Sequence, residues 1–220
     1  MSLTISEEVR RNFPDLHVLT SCVEGVTVKK SDSNLESFKE DVIQEVRSTF
    51  DIETLKDRPI LRAYRDFFWR LGVDPTKIRP AAEALIRRLL HGRALPRINT
   101  LVDAYNLASI RTEIAIAAFD FDRTRGDLMM RYAEEGEEFL GIGMKAPMRL
   151  IGKEIVISDG EKLLAIYPYR DAEDTKVTGA TRNVLLLFCG VPGISMQRLS
   201  EARNLTLDFV TKFCGGIIKF

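Results

Sequence analysis

Two stretches of this chain carry side chains whose types and spacing could do chemistry. Asn99, Asp103 and Asn106 stand at i, i+4 and i+7 of an otherwise apolar segment, so on a helix they share one face. Such a row is either a rail of donors and acceptors for a polar ligand or a set of helix caps and loop anchors, since Asn and Asp readily bond nearby backbone. In the second stretch, Tyr167-Pro168-Tyr169-Arg170-Asp171 leads to Asp174-Thr175, Thr178 and Thr181. Threonines three apart do not alternate as a strand would; they suggest a tight bend presenting hydroxyls and backbone N–H groups. Rings, a guanidinium, a carboxylate and hydroxyls together can hold an amino-acid-like or sugar-like ligand. The plainer reading is a surface ion pair from Arg170 to Asp171 or Asp174.

Other chemistries find less support. His17 and His91 have no Cys, Ser or carboxylate at triad or metal spacing, and His91 suits the C-terminal end of a helix. Cys22, Cys189 and Cys214 are odd in number and far apart, with no C-x-x-C, so neither a disulfide framework nor a metal site is expected. That usage fits a reducing, cytoplasmic setting. No glycine-rich phosphate loop occurs, no cofactor is implied, and Gly136-Glu137-Glu138 reads as a solvated acidic turn. The opening twenty residues are charged, and runs such as Val184 to Cys189 are too short to span a bilayer, so no membrane partner is expected.

The formal charge cancels, with 32 basic against 32 acidic residues, but it is unevenly spread. Residues 58–97 hold ten basic and three acidic side chains. Among them Arg79, Arg87, Arg88, Arg93 and Arg97 could contact RNA phosphates through planar donor forks, although solvated helix faces often carry such residues.

The elements that must position these groups are punctuated clearly. Leu16 to Val28 reads as a strand or hairpin with Gly25 as the turn. Ser33 and Glu36 form a capping-box signal for a helix to about Phe50, with Leu35, Phe38, Val42 and Val46 on its apolar face. Pro59 opens a helix that Gly72 closes, and Pro80 opens another that Gly92 closes. Asn99 to Ile110 is helical. Strands follow at Ile114–Phe119, Asp127–Tyr132, Glu154–Ser158, Leu163–Tyr167 and Asn183–Cys189, and a helix runs from Ser195 to about Phe213. A helical front and a strand-rich back, without βαβ alternation, predict α+β. At 220 residues the chain is expected to form a single unit, 1–94 mainly helical and 95–213 the core.

The string Asn99-x-x-Val102-Asp103-x-x-Asn106, Ala118-Phe119-Asp120-Phe121-Asp122, Gly126-Asp127, Arg131-x-Ala133 with Gly136-Glu137, and Val177-Thr178-x-x-Thr181 resembles the tRNA-binding B3/B4 domain of the phenylalanyl-tRNA synthetase beta subunit, over roughly residues 95 to 210. Tyr64-Arg65-Asp66, Arg79-Pro80, Glu83-Ala84-Leu85 and Arg170-Asp171 look like free-standing members of that family. The resemblance implies a layered sandwich of mixed sheets, helices packed on one side and a helical N-terminal region. It also implies an editing-type compartment that hydrolyses a mischarged ester at the 3′ end of aminoacyl-tRNA, with no DNA partner. Asn106, Thr178 and Thr181 would then be catalytic, and Asn99, Tyr169, Arg170 and Asp171 would bind substrate. Two positions depart from the pattern: Ala117 stands where the editing domain has a histidine, and Leu187 where it has the glutamate that reads a tyrosine hydroxyl. A substrate other than a tyrosyl ester is therefore expected. A non-catalytic RNA- or small-ligand-binding module of the same fold is the alternative.

Overall fold

The computed structural model describes residues 2–219. It opens with β1 (Leu3–Ile5), α1 (Glu7–Asn12) and β2 (Val18–Glu24). Within Leu16–Val28 there is one strand and no hairpin. Gly25, at φ +73°, turns the chain out of the sheet, and the neighbours of β2 come from the far end of the sequence. The cap of α2 (Ser33–Thr49) is Asp32 rather than Ser33: its Oδ1 accepts from the Asn34 and Leu35 N–H groups at 3.0 and 3.3 Å. An aspartate there serves both the orphan donors and the positive end of the helix dipole.

Proline and glycine frame the next two helices as expected. These are α3 (Pro59–Arg70), before Gly72 at φ +75°, and α4 (Ala81–Leu90), before Gly92 at φ +73°. α5 (Thr100–Thr112) ends at Glu113, the one non-glycine with positive φ among the described residues. Its buried carboxylate is held by Arg58 through two bonds, 2.9 and 2.5 Å, which secure that left-handed turn.

The remaining elements are β3 (Ala115–Asp120), β4 (Leu128–Tyr132), β5 (Glu135–Phe139), β6 (Met148–Ile151), β7 (Ile155–Ser158), β8 (Leu163–Ile166), β9 (Arg170–Asp171), β10 (Asn183–Cys189), α6 (Met196–Cys214) and β11 (Ile217–Lys219). The acidic turn expected at Gly136-Glu137-Glu138 is instead part of bulged strand β5, and Arg131 binds Glu137 at 2.7 and 3.0 Å. With three glutamates and a glycine before Phe139, β5 lacks the alternation that betrays a strand.

The strands form a four-stranded sheet, β11-β2-β10-β3, a five-stranded sheet, β1-β4-β7-β8-β9, and the β5-β6 ribbon. The fold is α+β. Both larger sheets take a strand from the front of the chain: β2 pairs antiparallel with β10 from Asn183↔Glu24 to Cys189↔Val18, and β1 lies parallel to β4. Strand β10, between β2 and β3, is buried at every residue after Asn183, which accounts for its continuous apolar run.

Two buried phenols clasp the end of β10. The Tyr64 hydroxyl donates to the Cys189 carbonyl and accepts from the Ala115 N–H at 3.0 Å, while the Tyr167 hydroxyl donates to the Gly190 carbonyl. Burial pushes both pKa values well up, so both remain neutral donors. Gly190 lies tight against the chain near His17 and against α6: a Cβ there would fall 2.3 Å from the His17 carbonyl oxygen and 2.7 Å from Leu199 Cδ1. Because the first obstacle is backbone, Gly190→Ala is expected to cost about 1–3 kcal/mol, read as a lower urea midpoint at unchanged m-value.

Candidate functional site

β3 pairs with β10 along one edge and presents its other edge to the segment after β9. There the Asp120 N–H donates to the Thr175 carbonyl at 2.8 Å, and the Ala118 N–H, two residues back and pointing the same way, faces the Asp171 carboxyl. Asp171 is fixed by the β8–β9 ladder, opposite Ala165, and by the Ile142 N–H, which donates to its carbonyl at 2.9 Å. Desolvation pushes the carboxyl up to about 7, with the Ala118 N–H as the opposing influence, and no salt bridge to it forms among the described residues. It also raises the Tyr105 phenol and the Cys189 thiol, each chiefly through burial and then through the charge of Asp171. A carboxyl poised near neutrality can exchange a proton with a held water.

Asn106 follows Tyr105 on α5 and is partly buried, with no side-chain hydrogen bond among the described residues. The rest of the polar row on α5 has structural partners. Asn99 is the helix cap, its Oδ1 accepting from the Leu101 and Val102 N–H groups at 3.1 and 2.9 Å. Asp103 pairs at 2.6 Å with Lys39 of α2, both side chains being no more than 5% exposed, and accepts from the Ile98 N–H at 3.2 Å.

The threonines form a bend, but its hydroxyls turn inward. Thr181 Oγ1 donates to Asp120 Oδ2 at 2.7 Å and accepts from the Thr178 N–H at 3.0 Å, while Thr178 Oγ1 accepts from the Ala180 N–H at 3.2 Å. Tyr169 rests edge-on against Phe68, ring centroids 5.7 Å apart, and lines an apolar cleft between the end of α3 and β7–β8. Arg170 packs its stem on Gly141, where a Cβ would come within 2.5 Å of it. No local Arg170–Asp pair forms; Asp174 pairs instead with Lys162 at 2.7 Å.

The arginines divide. Arg79, Arg87, Arg88 and Arg93 line one groove of about 710 Å³ beside α4, joined by Lys77 and His91, and its lining includes no carboxylate. Arg87 is anchored at 2.8 Å by Glu83, a fully buried carboxylate that also binds Arg65 at 3.1 Å. Arg88 donates to the Ala94 carbonyl at 2.5 Å, and neither Arg79, Arg88 nor Arg93 pairs with a carboxylate among the described residues. Arg97 is drawn away to Glu36 at 2.9 Å. Sequence reasoning missed Lys77, His91 and Tyr105 as members of these sites. Tyr105, next to Asn106, was legible only as an apolar helix position.

The family model described as B3/4 domain matches residues 63–217. The chain belongs to the B3/4 domain family. It is 27% identical over 146 residues to the phenylalanine–tRNA ligase beta subunit of Streptococcus mutans, covering 66% of this chain and 18% of that one. It is 29% identical over 143 residues to the same subunit of Symbiobacterium thermophilum, covering 64% and 16%. This B3/4 chain therefore spans less than a fifth of the length of those curated relatives. An N-terminal fragment of the phenylalanyl-tRNA synthetase beta subunit from Pyrococcus horikoshii matches 99% of this chain and half of its own at a TM-score of 0.54 and 18% identity, a likeness of fold. Among the described residues no helix is long and apolar enough to cross a membrane.

Proposed function

We propose that this B3/4 protein binds tRNA and hydrolyses a mischarged aminoacyl ester at its 3′ end in the cytoplasm, with Asp171 moving the proton. The observation that carries this reading is the partly buried Asp171 carboxyl, which faces the Ala118 N–H on the edge of β3 that meets the segment after β9 and forms no salt bridge among the described residues. Ionised, it takes a proton from water as the water oxygen attacks the ester carbonyl carbon. The tetrahedral intermediate then collapses, the acyl C–O bond breaks, and the leaving ribose oxygen takes the proton back. Asn106 is the side chain we assign to the developing oxyanion, where one donor is worth about 3 kcal/mol. Thr178 and Thr181 shape the bend after β9 rather than hold water, and Asn99 holds α5 in place. Arg170 and Tyr169 flank the turn into β9 and contribute through substrate binding.

Deacylation of a panel of mischarged tRNAs tests the proposal. Release of amino acid from at least one, above the spontaneous rate, is expected; no turnover on any ester ends the hydrolase reading.

The basic groove supports the RNA half of the reading, since an acid-free concavity concentrates positive potential. With three or four phosphates engaged, log K for tRNA is expected to fall with log salt at a slope of about −3, and Arg93→Ala is expected to make it shallower by ~1. Filter binding across a salt series reads both; a flat profile removes the groove from the proposal. A second, non-catalytic reading is favoured by one feature: Ala117 and Leu187 face each other across the β3–β10 ladder, 7% and 0% exposed, so the positions where the resemblance implies polar groups form an apolar pair.

A further inference from the structure

A second concentration of polar groups lies on β2, sharing no side chain with the Asp171 site. Thr20, Cys22 and Glu24 alternate along β2 and so point to one face of the sheet; Leu185 stands opposite Cys22 across β10, and Lys219 opposite it across β11. With Phe121 just past β3 and Arg203 from α6 they line a cleft of about 320 Å³.

Arg203 is the anomaly. Its Nε is one of two buried side-chain polar atoms without a hydrogen bond among the described residues, and no carboxylate there pairs with its guanidinium. A donor withdrawn from water and left unbonded is costly, and such a group calls for an explanation, a bound ligand being one. The planar fork fits a carboxylate best.

The opposite charge is present as well. Glu24 is met by Lys219 at 3.6 Å, too long for a good hydrogen bond, so it retains acceptor capacity, and its charge together with that of Asp122 reaches the Cys22 thiol. Phe121 and Leu185 supply apolar surface, and Thr20 a hydroxyl. The lining holds one carboxylate, Glu24, beside the two cations Arg203 and Lys219, so a ligand that bears both charges meets a partner for each. A fork for an anion, an acceptor for a cation and an apolar wall, all in a space this small, match a zwitterion with an apolar substituent.

We infer that the cleft between β2 and α6 binds a free α-amino acid with an apolar side chain, Arg203 receiving its carboxylate and Glu24 its ammonium. Calorimetric titration of the intact protein with L-leucine and L-phenylalanine tests this. Saturable binding in the millimolar range or tighter is expected for at least one, weakened by about tenfold or more in R203M and in E24Q. Phenethylamine and 3-phenylpropanoate, each lacking one charge, are expected to bind about tenfold more weakly than L-phenylalanine. Circular dichroism checks the fold of R203M; should that variant not fold, exposed Glu24 still reports on the cleft through E24Q. The inference is overturned if neither amino acid binds, if both variants bind like the parent, if the one-charge analogues bind as well, or if inorganic phosphate competes at equal concentration. Ester hydrolysis measured on the same R203M sample is expected at the parent's rate, which keeps failure of this inference separate from failure of the hydrolase reading.

Discussion

Asp171→Asn is expected to lower the single-turnover deacylation rate by a factor of about 10²–10⁴, the range that a positioned general base contributes. The parent rate should rise with pH as the carboxyl ionises, through about 7, and level off above. A stability measurement separates this loss from damage to the fold. The unfolded chain holds this carboxyl at an ordinary pKa of about 4, whereas desolvation raises it in the native state, so between those values the native state binds the extra proton. The contribution to stability is therefore most favourable below the unfolded value and is lost as pH rises through about 7. Asparagine carries no charge at any pH. The variant should gain stability over the parent at pH 8 and lose that advantage near pH 4, followed by thermal melts. A variant that is inactive yet no less stable would mark Asp171 as a group retained for chemistry. One that is active at the parent's rate would end the role assigned to it.

The second large effect concerns the frame beneath the site. Lys39 of α2 bonds Asp103 at 2.6 Å and Glu36 at 2.8 Å, and Glu36 also binds Arg97 at 2.9 Å. Asp103 is buried on the helix that carries Tyr105 and Asn106. Lys39→Met leaves that carboxylate without its cation, and breaking a buried pair from one side costs about 3–5 kcal/mol. The double change Lys39→Met with Asp103→Leu removes both charges, and most of the loss should return, because a well-packed apolar pair can match a buried ion pair. Urea denaturation of the parent, both single variants and the double variant yields the coupling directly. Near-additive effects would show that the pair does not hold α2 against α5.

Much of the secondary structure was legible because it rests on local chemistry. Pro59 with Gly72, and Pro80 with Gly92, mark helix ends whatever lies around them, since one lacks an N–H and the other tolerates a left-handed turn. The run from Val184 to Cys189 is apolar throughout, and it lies within the strand Asn183–Cys189. The ribbon β5–β6 and the edge strands β1 and β11 were missed because short, half-exposed strands carry no period. The cap of α2 fell one residue early because Asp32 and Ser33 are both good caps, and backbone geometry chooses between them.

The sequence alone determined the α+β class, the placement of most helices and core strands, and the family resemblance. It also bounded the set of polar groups available for chemistry. It could not say which of those groups would already be occupied. Asn99 and Thr181 turned out to be bound within the fold, Arg97 was drawn to Glu36, and Asp171 was left partly buried with no ion pair among the described residues. The Asn99 cap is local, but the other three outcomes depend on segments 53 to 61 residues apart in the chain meeting in space. A hydrogen-bond partner or the loss of water is a property of the packed neighbourhood, which no local pattern of residue types encodes.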